Sequence, residues 1–184
     1  LSMSSKTLAR QSEIRPNISK KEKSRKKKII LIDNMDSFTH NIRDAIVKLG
    51  FEVIIVNGWS EHPDEDVAAW VSDVIGKHSP DGIVIGPGPS RPESYNRTTA
   101  LANMGINGEL ISGKGQIPLL GICLGHQAIC LADGSNLTRS PNGPVHGSTV
   151  SVENDGTGLF SELAERHSMM RYNSLVILDV GESM

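Results

Sequence analysis

The sequence predicts an α/β fold: an open, mostly parallel sheet with helices on both faces. Three observations carry that expectation. Short apolar runs rich in β-branched residues alternate four times with helical-period segments between Lys28 and Ala132. The runs are continuous rather than alternating, as expected of strands buried on both faces. Three unusual loops, 33–37, 86–90 and 123–127, all follow strands. They therefore share one edge of the sheet, the carboxyl edge where open α/β sheets gather their sites.

The first strand is Ile29-Ile30-Leu31-Ile32, and the polar turn Asp33-Asn34-Met35-Asp36-Ser37 after it contains good N-cap residues. Phe38, Ile42, Ala45, Ile46 and Leu49 then recur at helical spacing until Gly50 stops the helix. Val53-Ile54-Ile55-Val56 makes a second strand. Val67, Trp70, Val71, Val74 and Ile75 mark a second helix, with Trp70 as a core anchor. Gly82-Ile83-Val84-Ile85 is the third strand, ending in Gly86-Pro87-Gly88-Pro89-Ser90. A helix is expected over about 97–111, weakened by Gly105 and Gly108. The fourth strand, Ile117 to Ile122, delivers Cys123, and residues 126–132 form the helix behind it. Past 133 the signals thin. His146 to Val152 alternates like a half-buried strand, Asp155-Gly156-Thr157-Gly158 is turn chemistry, and Arg171 to Leu178 reads as one more strand.

A chain of 184 residues can bury one proper core. Two cysteines give no disulfide framework, the apolar runs are far short of a membrane span, and no signal segment opens the chain. A cytoplasmic protein with no membrane partner is expected. The net charge of −2 hides an asymmetry: residues 1–28 carry ten Lys/Arg against two acidic residues. That stretch has few apolar residues and no aromatic, so it cannot bury enough surface to fold. Residues 1–27 are therefore read as a basic, disordered linker or tail rather than a nucleic-acid patch. The domain itself is assigned to 28–184. Because the first residue is Leu, the chain is expected to be an excerpt from something longer.

The most informative stretch is Gly121-Ile122-Cys123-Leu124-Gly125-His126-Gln127. A strand breaks at a cysteine framed by glycines two before and two after, the layout of a nucleophile elbow. So tight a turn excludes a Cβ at the flanking positions. The N–H of Leu124 would point to where an oxyanion forms, and the helix start would help keep the sulfur as thiolate. Cys130, with no glycine frame, reads as core. The loop Gly86-Pro87-Gly88-Pro89 would be a rigid partner whose backbone N–H groups face the nucleophile. Donors of that kind contribute roughly 3–4 kcal/mol to acyl transfer. His126 is read as structural or capping, since it should be directed away from the sulfur. His146 is open between site and surface. No Cys/His cluster has metal-ligand spacing, and no cofactor is called for.

These residues carry a resemblance. The segment from Gly121 to Gln127 resembles the signature of the class I (triad) glutamine amidotransferases, whose core is flavodoxin-like. Asp33-Asn34-Met35-Asp36-Ser37-Phe38, with Asn41, is similar to the branch serving anthranilate synthase and aminodeoxychorismate synthase. The amidotransferases of GMP synthetase and carbamoyl-phosphate synthetase share the elbow but resemble this opening less. The resemblance implies that Cys123 attacks the side-chain amide of L-glutamine and releases ammonia to a chorismate-binding synthase subunit or fused domain. It further implies an oxyanion hole from the N–H groups of Gly88 and Leu124. Gly86, Pro87, Gly88, Gln127 and the main chain of Ser174-Leu175 would bind the substrate.

The match has departures. Asn173 stands where family members usually carry His, and Ser148 where they carry Lys after the His-Gly pair. The family's catalytic histidine and glutamate lie in a His-Pro-Glu-Ser type segment past Ser174-Leu175, and nothing from Val176 to Met184 resembles it. The fold is therefore expected to lack its C-terminal part, leaving apolar sheet surface uncovered, and the chain alone to be inactive for want of a base. Two accounts follow: a fragment of a full domain, favoured by the start and the end of the chain, or a shortened homologue that only binds a partner. Another cysteine hydrolase on the same sheet would leave the Asp33–Phe38 loop unexplained. Which chorismate product is served belongs to the synthase and is not legible here.

Overall fold

The computed structural model describes residues 25–62 and 64–178. The assignment of residues 1–27 as a disordered tail falls almost wholly outside them. Four strands form a parallel sheet: β1 (Lys28–Asp33), β2 (Glu52–Asn57), β3 (Gly82–Ile85) and β6 (Leu119–Gly121), in the order β2-β1-β3-β6. Helix α1 (Thr39–Lys48) links β1 to β2, and α2 (Val67–His78) carries the chain back across β1 to β3. Right-handed crossovers that reverse direction in this way lie on opposite faces of the sheet. Helices α3 (Asn96–Ile106) and α4 (Leu124–Ala132) complete the layer begun by α2.

The core follows from strand parity. Ile30, Ile32, Ile83 and Ile85 point to the α2–α4 side and meet Val71, Val74, Leu101, Ala102 and Ala128. Their register is exact to the residue, Ile30 opposite Ile83 and Ile32 opposite Ile85. Each fully buried side chain of this kind contributes roughly 1.5–3 kcal/mol. Trp70 is only half-buried. It packs against this core and lies beneath the Arg97 guanidinium at 4.6 Å, while Arg97 grips Glu65 through Nε (2.9 Å) and a terminal nitrogen (2.6 Å).

Several elements differ from expectation. Phe38 and Leu49 are exposed, and no side chain of the polar turn caps α1 at its N-cap, Phe38. Instead the Asp33 carboxylate takes up the Thr39 hydroxyl and the Met35 and Asp36 N–H groups, while Asp36 accepts from Phe38 N–H. Helix α3 stops at Ile106 because the chain turns at Gly108 (φ +73°) to bury Leu110. Ile111 then enters a small hairpin of β4 (Ile111–Ser112) and β5 (Gly115–Gln116). After α4 comes a strand the periodicity did not reveal, β7 (Asn136–Arg139). The long β8 (Val145–Glu153) is more exposed than an alternating pattern implies, and it pairs antiparallel with β9 (Arg166–Asn173). The single strand expected over 171–178 is broken at Ser174. Beyond it, β10 (Leu175–Leu178) leaves β8 and pairs with β7.

Candidate functional site

Cys123 sits at φ +53°, ψ −109°, between the end of β6 and the start of α4. For a residue with a Cβ this backbone is strained, typically by about 1–3 kcal/mol, and it persists because the surroundings over-determine it. A Cβ at Gly125 would collide with the Ile85 carbonyl on β3. One at Gly121 would lie 2.5 Å from the backbone of Gly125 and His126. The glycine frame therefore lets strand, turn and helix stack without a gap. Ile122 N–H still bonds the Ile85 carbonyl at 2.9 Å, and Gln127 N–H closes the first helical turn on the Cys123 carbonyl at 3.0 Å.

Beside the elbow runs the loop after β3. Gly86 is buried, its N–H on the Ile32 carbonyl at 3.0 Å, and a Cβ there would come within 2.7 Å of that same oxygen. Gly88 is wedged just as tightly: a Cβ would lie 2.6 Å from Asn34 Cβ and 3.1 Å from Leu124 Cδ1. Gly88, Cys123 and Gln127 form one wall of an open cavity of about 790 Å³. The facing wall comes from the late strands and brings Arg139, His146, Tyr172 and the Asn173-Ser174-Leu175 segment.

Five residues singled out in the sequence thus meet around one cavity: Gly88, Cys123, Gln127, Ser174 and Leu175. Leu124 is buried, so only its backbone can serve the site. Gly86 and Pro87 support the loop from behind and do not line the cavity. His126 lies outside it too, its Nε2 3.4 Å from Cys130 Sγ, one turn along α4. His146 does line it, with Nε2 3.1 Å from Ser174 Oγ and its ring stacked on Tyr172 at 4.4 Å. Asn173 spans the Ser174 break, accepting from Arg171 Nε at 2.8 Å and donating to the Leu175 carbonyl at 3.0 Å. Ser148 is exposed on β8, just past the bulge at Gly147 (φ +88°).

The electrostatics correct one expectation. The thiol of Cys123 is not held as thiolate; its pKa is raised. The residue reaches the surface, yet the protein packed around its sulfur strips enough water to disfavour the anion. The Leu124 N–H, hydrogen-bonded to the sulfur, works in the other direction but is outweighed, and the Asp36 carboxylate adds to the rise. Among the described residues no cation contributes to this balance.

Three contributors were not legible as such. Arg91 and Arg139 give the cavity a cationic rim suited to a carboxylate, and Asn34 is fully buried beneath the Gly86–Gly88 loop. Its place as the second residue after four apolar ones, at the carboxyl end of β1, was the available signal for Asn34. Among the described residues no group of three or more His, Cys, Asp or Glu is arranged to hold a metal ion. No described helix is long and apolar enough to cross a membrane.

Comparison with known proteins agrees with this fold. The model of the family described as Glutamine amidotransferase class-I matches residues 30–182. The anthranilate synthase component 2 of Porphyra purpurea is 34% identical over 150 residues, covering 81% of this chain and 69% of that protein. The aminodeoxychorismate synthase of Streptomyces pristinaespiralis is 33% identical over 149 residues, or 80% of this chain, which spans only 18% of that longer protein. The crystal structure of a glutamine amidotransferase from Thermotoga maritima superposes with a TM-score of 0.60 at 17% identity, covering 86% of this chain and 64% of that one.

Proposed function

The chain belongs to the class-I glutamine amidotransferase family, and from that premise we propose that Cys123 opens the side-chain amide of L-glutamine to supply ammonia to a chorismate-aminating synthase. The observation that carries the reading is the strained elbow at Cys123 beside Gly88 and Gln127 in one wall of a cavity that Ser174 and Leu175 line from the other side. The Cys123 sulfur, once deprotonated, adds to the amide carbon, and the carbonyl π pair moves onto oxygen. The N–H groups of Gly88 and Leu124 receive that oxyanion. Collapse breaks the C–N bond, the nitrogen leaves with an added proton as ammonia, and a γ-glutamyl thioester remains on Cys123. Water then releases glutamate and frees the thiol. Gln127 and the main chain of Ser174-Leu175 hold the amino-acid end of the substrate.

The recipient we favour is anthranilate synthase, in keeping with the Asp33–Phe38 loop and the Porphyra purpurea relative. The Streptomyces pristinaespiralis relative favours aminodeoxychorismate synthase as the second reading. Co-purification with the chorismate-binding component of each enzyme decides between them, and binding to neither would remove the partner from the account. On either reading we place the chain in the cytoplasm, in keeping with its two free thiols.

Burial raises the Cys123 thiol pKa and, among the described residues, no cation offsets the rise, so the nucleophile lacks an activator. The 184-residue chain alone should therefore show no measurable glutaminase activity. Robust turnover would overturn that expectation, and turnover that survives Cys123→Ser would rule out the thioester mechanism. A non-catalytic interaction module is the competing class of reading. It requires partner binding together with a Cys123 indifferent to glutamine-shaped electrophiles.

A further inference from the structure

The loop that opens the domain has a buried residue for which the proposed chemistry finds no use. Asn34 and Thr98 are both fully buried, one after β1 and the other in α3. The Asn34 amide lies 3.0 Å from the Gly86 carbonyl and 2.6 Å from Thr98 Oγ1. A carbonyl can only accept, so the amide nitrogen must face Gly86, and the amide oxygen takes the Thr98 hydroxyl proton. Thr98 is itself anchored, its N–H on the Gly58 carbonyl at 3.1 Å, while Gly58 N–H bonds the Asp33 carbonyl at 2.8 Å. A Cβ at Gly58 would collide with both side chains of the pair, so the space is filled.

We propose that Asn34, oriented by Thr98, is the positioning residue that fixes the Gly88 N–H for the oxyanion. The inference rests on the glutamine reading above. The physical route is short. The Gly86 carbonyl belongs to the peptide that joins Gly86 to Pro87, so Asn34 pins that plane. Pro87 has its φ locked by the ring. One torsion, ψ of Pro87, then separates the pinned plane from the Gly88 N–H, and Gly88 has Asn34 Cβ against its back. Asp33 and Met35 (φ +60°) turn the following chain away, which keeps the Asn34 side chain directed inward. Asn34 touches no reacting atom; it acts through the loop.

The test compares two alkylating probes of Cys123 in the full chain, read by mass at that residue. A glutamine-shaped chloroketone, with a chloromethyl ketone replacing the amide, reacts by thiol addition to a carbonyl and needs the oxyanion donors. The sulfur first bonds the ketone carbon, the carbonyl pair moving onto oxygen and the thiol proton passing to buffer. It then bonds the adjacent methylene as chloride leaves, and the first C–S bond breaks as the carbonyl re-forms. Iodoacetamide displaces iodide directly and needs no such donors. Thr98→Val and Asn34→Ala are two independent routes to the same defect. Losing an oxyanion donor costs on the order of 10²–10³ in rate, and a misplaced one should cost about 10–100-fold with the chloroketone. Iodoacetamide rates should stay within about twofold of the parent, and Thr98→Ser should restore the chloroketone rate. Unchanged chloroketone rates, or parallel changes with both probes, would overturn the positioning role while leaving the glutamine reading intact. A parent chain that the chloroketone labels no faster in the L than in the D form would instead overturn the glutamine reading, and this inference with it.

Discussion

At the scale of single residues, Cys123 is positioned by exclusion. Its strained backbone is held by neighbours that leave no room for a side chain at Gly121 or Gly125. Gly125→Ala should therefore destabilise the chain by about 1–3 kcal/mol, since the new methyl meets a β3 carbonyl rather than a flexible side chain. Gly76→Ala is the control: that helical glycine faces open space, and alanine should stabilise by about 0.5–1 kcal/mol. Urea midpoints check both, and equal effects would contradict the packing argument. The thiol adds a pH prediction. Because its pKa is raised, alkylation of Cys123 should climb only at pH values above those of an ordinary cysteine. Asp36→Asn removes one cause of the rise and should move that profile to lower pH, whereas an unmoved profile would leave burial as the sole cause. The glycine frame and the thiol were plain in the sequence. The sign of the pKa shift was not, because it depends on what covers the sulfur and not on which residue follows it.

At the scale of elements, the amino ends of β1 and β3 are tied to the β4–β5 hairpin through one carboxylate. Asp81 accepts from Lys28 N–H at 2.8 Å, Lys114 Nζ at 2.6 Å and Arg25 at 3.0 Å. Its pKa falls from 3.8 to about 2, chiefly through the Lys114 hydrogen bond and then the Lys28 N–H. A depressed carboxylate stabilises above its unfolded pKa and loses that contribution as pH falls through its folded one. Acid unfolding of the parent should thus draw on Asp81 between about pH 3.8 and 2, and Asp81→Asn should show a flatter acid limb by circular dichroism. Identical limbs would remove Asp81 from the account. The elements also show where periodicity stops being informative. Continuous apolar runs located β1 and β3 because burial on both faces imposes a pattern that one strand carries alone, and the same kind of run located β2 although it is a partly buried edge strand. The expected strand over 171–178 failed because nothing local records that Ser174 hands the chain from β8 to β7. Helix α3 was overrun because the burial of Leu110 past Gly108 is a tertiary choice.

At the scale of the whole molecule, the site is a product of strand order. The order β2-β1-β3-β6 reverses between β1 and β3, so the loops bearing Asn34 and Gly86 lie side by side, and β6 brings Cys123 to the same edge. That the three loops share one edge was legible from strands alternating with helices; the strand order was not. Of the opposite wall only Ser174 and Leu175 were named beforehand, through the resemblance; Arg139, His146 and Tyr172 reach the cavity through β7, β8 and β9, which pair only over long range and whose sequences are weakly patterned. What the two walls enclose is the central claim, a thiol set to meet the amide end of glutamine. The most direct measurement is the rate of Cys123 alkylation by the glutamine-shaped chloroketone, with and without saturating L-glutamine. The account predicts modification confined to Cys123, faster with the L than with the D reagent, and slowed at least about tenfold by L-glutamine but not by D-glutamine. Alkylation that ignores both L-glutamine and the handedness of the reagent would contradict it.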